Sequence, residues 1–306
     1  LNDFSGQVVV RDGDVQYNDV DFNSLGGQFN LAGAYDTKPE DKSSFDFNLD
    51  IEKLSIPESY KHFMTVKMLA PIAEIMEGNF SSSFKLKGKL GKDLSPDLST
   101  MSGQGILNIA NAAIRGSDSK VISGITSVSK LTDQSADVSL TNVILNSEIE
   151  NGRVFIQPFN VSFGDNNALI AGSNGLDGSL DYDVKLDVPQ EIINTAGSLL
   201  TSISGQEINV NSEDVKLNIK VSGDYNSPKI SILGAETGEN KKAAEEALKA
   251  KVEEEKERAL VEAEKLLEAE KEKASEEVQK IMEEHEEEIE KAKTRLKKFF
   301  KKDGGR

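Results

Sequence analysis

The chain has 306 residues, of which 37% are apolar, so it is long enough to bury a substantial core in one large domain or two smaller ones. It contains no cysteine, which excludes disulfide bonds, thiolate metal sites and a cysteine nucleophile. Its 53 acidic residues outnumber its 36 basic residues and give a net charge of -17, which argues against nucleic acid as a partner because binding it needs a positively charged surface.

The first residues of the chain predict a strand and show no targeting signal. The segment FSGQVVVRDG begins at Phe4, and no charged region, apolar region or cleavage site precedes it. We therefore expect a mature form or a C-terminal fragment of a longer protein. Because no stretch approaches the roughly 18 apolar residues of a membrane span, any membrane anchor is expected upstream of Leu1.

Residues 1–233 are predicted to form mainly antiparallel strands. Apolar and polar residues alternate in four clear segments, at 45–51, 84–90, 180–188 and 215–221. A period of two gives each strand one apolar face and one polar face. Strands of a buried parallel sheet would be apolar on both faces, so the pattern indicates antiparallel strands with one covered face.

Helical segments are predicted to be few. Apolar residues recur near helical spacing at 60–78, 119–131 and 189–205. From Glu239 to Phe299 the composition changes to Glu, Lys, Ala and Leu, which is typical of a long helix. We predict a β domain at 1–233, a hinge at 234–240, a long charged helix at 241–302 and a disordered tail at 303–306.

Two parts of the predicted β domain repeat each other. The segment SSFDFNLDIEKLSIPE at 43–58 matches GSLDYDVKLDVPQE at 178–191, and FKLKGKLGKDLSPDLS at 84–99 matches LNIKVSGDYNSPKIS at 217–231. The alignment pairs Gly33 with Gly172, Ser44 with Ser179, Asp46 with Asp181 and Pro57 with Pro189. Because such repeats stack so that neighbouring units continue one apolar face, we expect a repeated, curved, mostly antiparallel sheet.

The long apolar face of this sheet has two possible roles. It can pack against itself in a closed sandwich or barrel, which would make the chain a structural module. It can also remain an open groove, since an apolar face that stays exposed usually holds a partner or ligand. In the open groove it would contact acyl chains. The candidate lipid-facing residues are Phe45, Phe47, Leu49, Ile51, Leu180, Tyr182, Val184, Leu186, Leu217 and Ile219.

Three segments of the chain resemble the C-terminal region of AsmA-like proteins. They are LSTMSGQGILNIANAAIRGSDSKVISGI at 98–125, GGQFNLAGAYD at 26–36 with the later LDIEKLSIPE, and VKLNIKVSGDYNSPKISI at 215–232. The resemblance covers most of residues 1–233 and rests on glycine-punctuated strand patterns without a catalytic signature. AsmA-like proteins are related to TamB and to the bridge-like lipid transfer proteins.

The resemblance implies a protein of the Gram-negative envelope. Its periplasmic part would be a β-groove that carries phospholipid between the inner and outer membranes or supports outer-membrane biogenesis. An upstream helix would anchor it in the inner membrane. The charged C-terminal segment also resembles the tails of AsmA-like proteins of Bacteroidota. The rival hypothesis is a closed β-module whose helical stalk docks an envelope protein partner.

The predicted long helix has an Ala-rich apolar stripe, interrupted by Glu270 and His285, that suggests a weak coiled coil or a helix docked on another surface. Its end, KAKTRLKKFFKK at 291–302, holds seven basic residues and no acidic one. Basic residues there complement the helix dipole, but two phenylalanines among lysines also suit an anionic membrane surface. The membrane-surface candidates are Lys297, Lys298, Phe299, Phe300, Lys301 and Lys302.

The residues needed for catalysis are not brought together by any motif. The two histidines, His62 and His285, are far apart in the sequence, and each is expected at the surface. The segment SGQGILN has Asn108 where a dinucleotide loop needs its third glycine. Paired acids such as Asp181 and Asp183 are expected on the solvated face of a strand. We therefore predict that the chain is not an enzyme and needs neither metal nor cofactor.

Overall fold

The computed structural model describes residues 2–38, 43–129, 137–189, 215–237, 246–258 and 261. The chain divides into two units, Leu1–Lys256 and Glu257–Arg306. The first contains the whole described sheet, and the second is described only at residues 257, 258 and 261. Most of the helix predicted at 189–205, most of the predicted long helix and all of the membrane-surface candidates at 297–302 lie outside the described residues.

Twelve strands form one open, curved, antiparallel sheet in which each strand pairs with its neighbours in the sequence. The prediction of a mainly β chain with a mostly antiparallel sheet is therefore confirmed. The strands are β1 (Asn2–Arg11), β2 (Asp14–Ser24), β3 (Gly27–Asp36), β4 (Ser44–Ser55), β5 (Met76–Lys89), β6 (Ser102–Ile114), β7 (Val138–Glu150), β8 (Arg153–Phe163), β9 (Asn166–Gly175), β10 (Ser179–Val188), β11 (Val215–Asp224) and β12 (Ser227–Thr237).

Turn residues between the strands explain how the chain reverses direction. Glu150 at the end of β7 pairs with Arg153 at the start of β8, which leaves Asn151 and Gly152 as a two-residue loop. Both loop residues have positive φ, 48° for Asn151 and 75° for Gly152. A type I′ hairpin turn requires positive φ at both positions and so favours the Asn-Gly dipeptide found here.

The sequence repeat corresponds to a repeat in the structure. Gly33 on β3 lies opposite Phe47 on β4, and Gly172 on β9 lies opposite Tyr182 on β10. The two glycines have nearly the same φ, 143° and 146°. A Cβ atom on either would overlap the carbonyl oxygen of the aspartate that precedes the opposing aromatic residue. The repeated glycines therefore occupy equivalent places in two copies of one strand pair.

The described helices are short. They are α1 (Ile56–His62), α2 (Met64–Leu69), α3 (Lys120–Ser129) and α4 at 246–258, with 3-10 helices at Pro71–Ile75, Leu98–Thr100 and Gly116–Asp118. The first two and the 3-10 helix at Pro71–Ile75 connect β4 to β5, whereas α3 follows β6. The helix predicted at 119–131 corresponds to α3.

The helix predicted at 60–78 has the wrong bounds. The helical segment begins earlier, at Ile56, because Ser55 Oγ accepts the N–H of Glu58 at 3.4 Å and Pro57 occupies the first turn. It is interrupted at Phe63 and Ala70, whose backbone angles are not helical. The segment ends before Met76, where β5 begins.

The predicted hinge at 234–240 overlaps the last strand. Gly234 and Ala235 pair with Asn218 and Leu217 of β11, so β12 continues through Thr237. Residues 238–240 lie outside the described part of the chain.

The hydrophobic core lies on one face of the sheet, which we call the concave face. Buried side chains from β5 through β12 form one cluster with Ile56 of α1 and with Ile122 and Ile125 of α3. Although α3 follows β6, it packs against β12, where Gly124 lies beside Ile230. The sheet therefore curves around these helical connections. A smaller cluster on the same face comprises Phe45, Leu90, Met101, Ile149 and Val154.

Candidate functional site

One row of side chains on the concave face crosses all twelve strands. Side chains alternate between the two faces of a strand, and residues directly opposite each other on neighbouring strands point to the same face of the sheet. All members of the row except Asn174 are glycine, proline, aliphatic or aromatic. The row consists of Val8, Tyr17, Gly33, Phe47, Leu86, Gly103, Ile149, Val154, Asn174, Leu180, Gly223 and Pro228.

The ten predicted lipid-facing residues all lie on this face, as their strand register shows. The structure divides them into two groups by burial. Phe47, Leu49, Ile51 and Tyr182 are half-buried. The other six are buried in the two core clusters: Phe45, Leu180, Val184, Leu186, Leu217 and Ile219.

The C-terminal part of the concave face is enclosed. Leu186 and Leu217 are paired across β10 and β11 and are each 0% exposed, while Ile219 beside them is 1% exposed. Helices α1 and α3 contribute Ile56 and Ile122 to the same cluster. We call this region, the concave face of β9–β12, the enclosed compartment.

The N-terminal part of the concave face is open to solvent. On β1 the fractional exposures of Phe4, Val8 and Val10 are 60%, 41% and 71%. An aromatic cluster lies beside them, in which Tyr35 and Phe47 have ring centroids 4.8 Å apart and Tyr17 lies 5.8 Å from Phe47. We call this region, the concave face of β1–β4, the open compartment. Its wall is apolar and aromatic, and most of its residues are exposed or half-buried, whereas Val20, Phe29, Phe45 and Leu54 are buried.

The connection between β4 and β5, residues 56–75, lies between the two compartments, and we call it the strap. Phe63 of the strap contacts Phe29 of β3, with ring centroids 6.3 Å apart. The carbonyl of Leu69 accepts a hydrogen bond from Asn174 Nδ2 of β9 at 2.9 Å. The strap therefore reaches from the β3 side of the concave face to the β9 side.

The strap also approaches the turn between β11 and β12. Tyr60 of the strap and Tyr225 of the turn pack against the same core cluster. Burial, together with the nearby Glu74 carboxylate and the Tyr60 hydroxyl, raises the pKa of Tyr225 to about 12. These contacts place Tyr60 of the strap beside the enclosed compartment.

Asn174 and Tyr182 form a polar pair in this otherwise apolar surface. The Tyr182 hydroxyl donates to Asn174 Oδ1 at 2.8 Å, while Asn174 Nδ2 donates to the Leu69 carbonyl. Burial raises the pKa of the Tyr182 hydroxyl, so the group stays protonated and remains a donor. Because buried polar groups need partners, the pair depends on the position of the strap.

The opposite, convex face carries the polar side chains of the sheet and binds α4. Leu248, Val252 and Glu255 follow helical spacing and are all buried. Phe155 on β8 is 1% exposed although it lies on this polar face, between Glu148 of β7 and Ser173 of β9. Since both of these neighbours hydrogen-bond to α4, the helix covers Phe155.

Ion pairs fasten α4 to three strands, and a hydrogen bond joins it to a fourth. Arg153 Nη2 of β8 lies 3.2 Å from Glu255 Oε1, and Lys251 Nζ lies 2.8 Å from Asp183 Oδ1 of β10. Lys256 pairs with Glu148 of β7. Ser173 of β9 donates to Glu255.

Two carboxylates at the contact between α4 and the sheet, Glu255 and Asp183, have pKa values shifted in opposite directions. Burial raises the pKa of Glu255, although a hydrogen bond from Ser173 and the charge of Arg153 oppose it. Burial also acts on Asp183, but hydrogen bonds from Lys251 and Lys220 outweigh it and lower the pKa. The expectation that Asp181 and Asp183 are simply solvated is wrong, because Lys220 pairs with both.

The described residues contain no group of three or more histidine, cysteine or acidic side chains arranged to hold a metal ion. His62 is exposed and lies 3.4 Å from Glu58. Among the helices in the described ranges, none is both long and apolar enough to cross a membrane.

Comparisons of this chain with protein-family models, with curated protein sequences and with solved structures find no significant match. The resemblance to AsmA-like proteins therefore stays a prediction, and the function is argued from the concave face alone.

Proposed function

We propose that the chain is a lipid-handling module in which the open compartment shields acyl chains. The observation that carries this proposal is the apolar row across an open sheet, whose members on β1–β4 are exposed at Val8 and half-buried at Tyr17, Gly33 and Phe47. Large exposed apolar surfaces on proteins generally bind a partner, a ligand or a membrane. A curved surface with Tyr17, Tyr35 and Phe47 offers broad aromatic and aliphatic contact to a hydrocarbon chain.

The polar groups of the lipid would remain in water. The acyl chain would lie along the concave face of β1–β4, and the head group would project past the edge of the sheet. Transfer along this surface would be passive and would need neither cofactor nor catalytic residue. The net charge of -17 would keep the carrier soluble and limit its unspecific adhesion to anionic membranes.

The cellular role follows from the resemblance to AsmA-like proteins. The chain would be the periplasmic part of an inner-membrane-anchored envelope protein. It would carry phospholipid between the inner and outer membranes or support outer-membrane biogenesis. The basic segment at 297–302 would contact a membrane surface, and the charged segment that contains it would bind an envelope protein partner.

A closed structural module is the second candidate function. The burial of Leu186, Leu217 and Ile219 favours it, because these residues are packed against other side chains of the chain. Docking of α4 on the convex face also fits a module whose helical segment is an arm. A closed structural module would account for the buried residues of the enclosed compartment. It would not account for the exposed apolar residues of the open compartment.

A pair of adjacent positions on β4 tests the lipid-handling proposal. Leu49 lies on the concave face and Asn48 on the convex face. Since the chain has no cysteine, Leu49→Cys and Asn48→Cys can each carry a single fluorophore. Phospholipid with a nitroxide on its acyl chain should quench the label at 49 and leave the label at 48 bright. Equal quenching at both positions, or none at 49, would overturn the proposal.

A further inference from the structure

The strap is a basic segment in an acidic chain. Between Ser59 and Ala73 it carries Lys61, His62 and Lys67 and no acidic residue, whereas the whole chain has a net charge of -17. Lys61 and His62 are exposed, and Lys67 is half-buried. Such a local excess of basic groups favours contact with an anionic surface at this place, although the chain as a whole is repelled by one.

The two lysines of the strap take no part in the ion pairs that hold the sheet and α4 together. Lys220 and Lys256 each lie against carboxylates. Among the ion pairs of the described residues, none includes Lys61 or Lys67. The Nζ atom of Lys67 instead lies 5.7 Å from the centroid of the Tyr60 ring. The charges of both strap lysines are therefore available to a partner.

An exposed apolar side chain lies among these basic groups. Met64 of α2 is 65% exposed, and none of the six residues of α2 is buried. Phe63, directly before it, is half-buried. Apolar side chains flanked by lysines are typical of segments that lie in the interface of a membrane. There the apolar groups enter the acyl region and the basic groups contact lipid phosphates.

The strap adjoins the apolar surface of the open compartment. Phe63 contacts Phe29 of β3, and Phe29 stacks on Phe22 of β2 with ring centroids 4.9 Å apart. Phe4 of β1 is 60% exposed and lies beside Phe22 in the register of β1 and β2. The apolar surface is thus continuous from the strap to β1. A lipid that leaves a bilayer at Met64 would reach the open compartment along aromatic side chains.

A bilayer fits the strap better than a protein partner does. A stable protein–protein interface buries about 800 Å² on each partner, and a helix of six residues, Met64–Leu69, offers much less. A protein interface also needs complementary shape, whereas a fluid bilayer adapts to single side chains that project from a surface.

We propose that the strap docks the chain on an anionic phospholipid bilayer, with Met64 in the acyl region of the facing leaflet and with Lys61 and Lys67 at the lipid phosphates. This inference rests on the proposed lipid-handling function and adds the surface from which the open compartment takes up lipid. Docking brings the bilayer next to Phe63, at the entrance to that compartment. The polar convex face of the sheet remains in water.

Fluorophores at two exposed apolar positions test the docking. In the full cysteine-free chain, Met64→Cys carries an environment-sensitive fluorophore, and a separate Leu94→Cys variant carries the same label as its control. Leu94 is 50% exposed and follows β5, whereas the strap precedes β5, so the two labels lie at opposite ends of that strand. Vesicles of phosphatidylcholine mixed with phosphatidylglycerol should shift the emission of the label at 64 to shorter wavelength and leave the label at 94 unchanged. An unshifted label at 64, or an equal shift at both positions, would overturn the docking.

Removing the same charge at two places tests the role of the lysines. Lys61→Gln combined with Lys67→Gln should weaken binding to these vesicles by about 25-fold, since each basic residue near the surface contributes about fivefold. Lys85→Gln combined with Lys87→Gln removes the same charge from exposed positions on the convex face of β5. This control pair should change the affinity by less than about twofold, because charges beyond a Debye length are screened. Equal weakening by both pairs would contradict docking through the strap.

The outcomes distinguish this inference from the lipid-handling proposal. If nitroxide phospholipid quenches the label at Leu49→Cys while the label at Met64→Cys stays unshifted by vesicles, the docking is wrong and the lipid-handling proposal stands. A shift at 64 without quenching at 49 would overturn the lipid-handling proposal and leave the strap as a membrane contact only. A shift at 64 together with quenching at 49 supports both.

Discussion

Truncating a leucine in each compartment should have unequal effects on stability. Leu217 is 0% exposed and lies between Leu186 and Ala235 on the neighbouring strands. Leu217→Ala removes three carbon atoms from a fully packed site, so it should lower the free energy of unfolding by about 3 kcal/mol. Leu49 is only half-buried. Leu49→Ala should therefore cost about 1 kcal/mol, because much of its side chain already contacts water.

Urea denaturation followed by circular dichroism measures this difference. The two variants should have equal m-values and clearly different midpoints, with Leu217→Ala unfolding first. Equal losses of stability would mean that the concave face is packed alike at β4 and β11. That result would refute the division into an open and an enclosed compartment.

Three further predictions concern the repeat and the convex face. Gly33→Ala and Gly172→Ala should each lower the free energy of unfolding by about 2 kcal/mol. At both positions φ is positive and an added Cβ would overlap a carbonyl oxygen of the neighbouring strand. An unchanged urea midpoint in either variant would contradict this prediction. Arg153→Ala leaves the buried Glu255 carboxylate without its guanidinium and should weaken α4 docking by about 3 kcal/mol, seen as faster hydrogen exchange at 246–258. Arg115→Ala, which breaks exposed ion pairs, is its control and should leave that exchange unchanged. The stability contributed by Asp183, whose pKa is lowered in the folded state, is present above the usual value of 3.8 and is lost as the pH falls through the lowered pKa. Asp183→Asn should therefore flatten the loss of stability on acidification, and an unchanged pH profile in urea melts would count against the ion pairs with Lys220 and Lys251.

The strands and their faces could be predicted from the sequence. Phe45, Phe47 and Leu49 alternate with Asp46 and Asn48. This period of two residues is the period of a strand and not of a helix. The repeat was also informative, because Gly33 and Gly172 meet the same steric demand opposite an aromatic residue. These features depend on local geometry and on the next strand alone.

The division of the concave face could not be predicted. Leu49 and Leu217 have the same alternating surroundings in the sequence, yet one is half-buried and the other fully buried. The difference arises from connections that pack far from their place in the chain, such as α3, which follows β6 and contacts β12. Strand patterns do not report where such a connection packs.

The docking of α4 had a weak signal in the sequence. Leu248 and Val252 are four residues apart, as expected for a helix docked on a surface. The next residue on that face, Glu255, is charged, so the sequence does not show a continuous apolar stripe. Its partner Arg153 is distant in the sequence. Phe155 is a second indication, because it is an apolar residue on the polar face of a strand. An apolar side chain at such a position indicates that another element packs over it.

Native mass spectrometry of the purified full chain tests the central claim most directly. The proposed function predicts adducts with the mass of phospholipid that are released on denaturation and are recovered by solvent extraction. It further predicts uptake of labelled phospholipid from liposomes by chain purified without lipid. A lipid-free mass with no uptake from liposomes would contradict the claim that the concave face handles acyl chains.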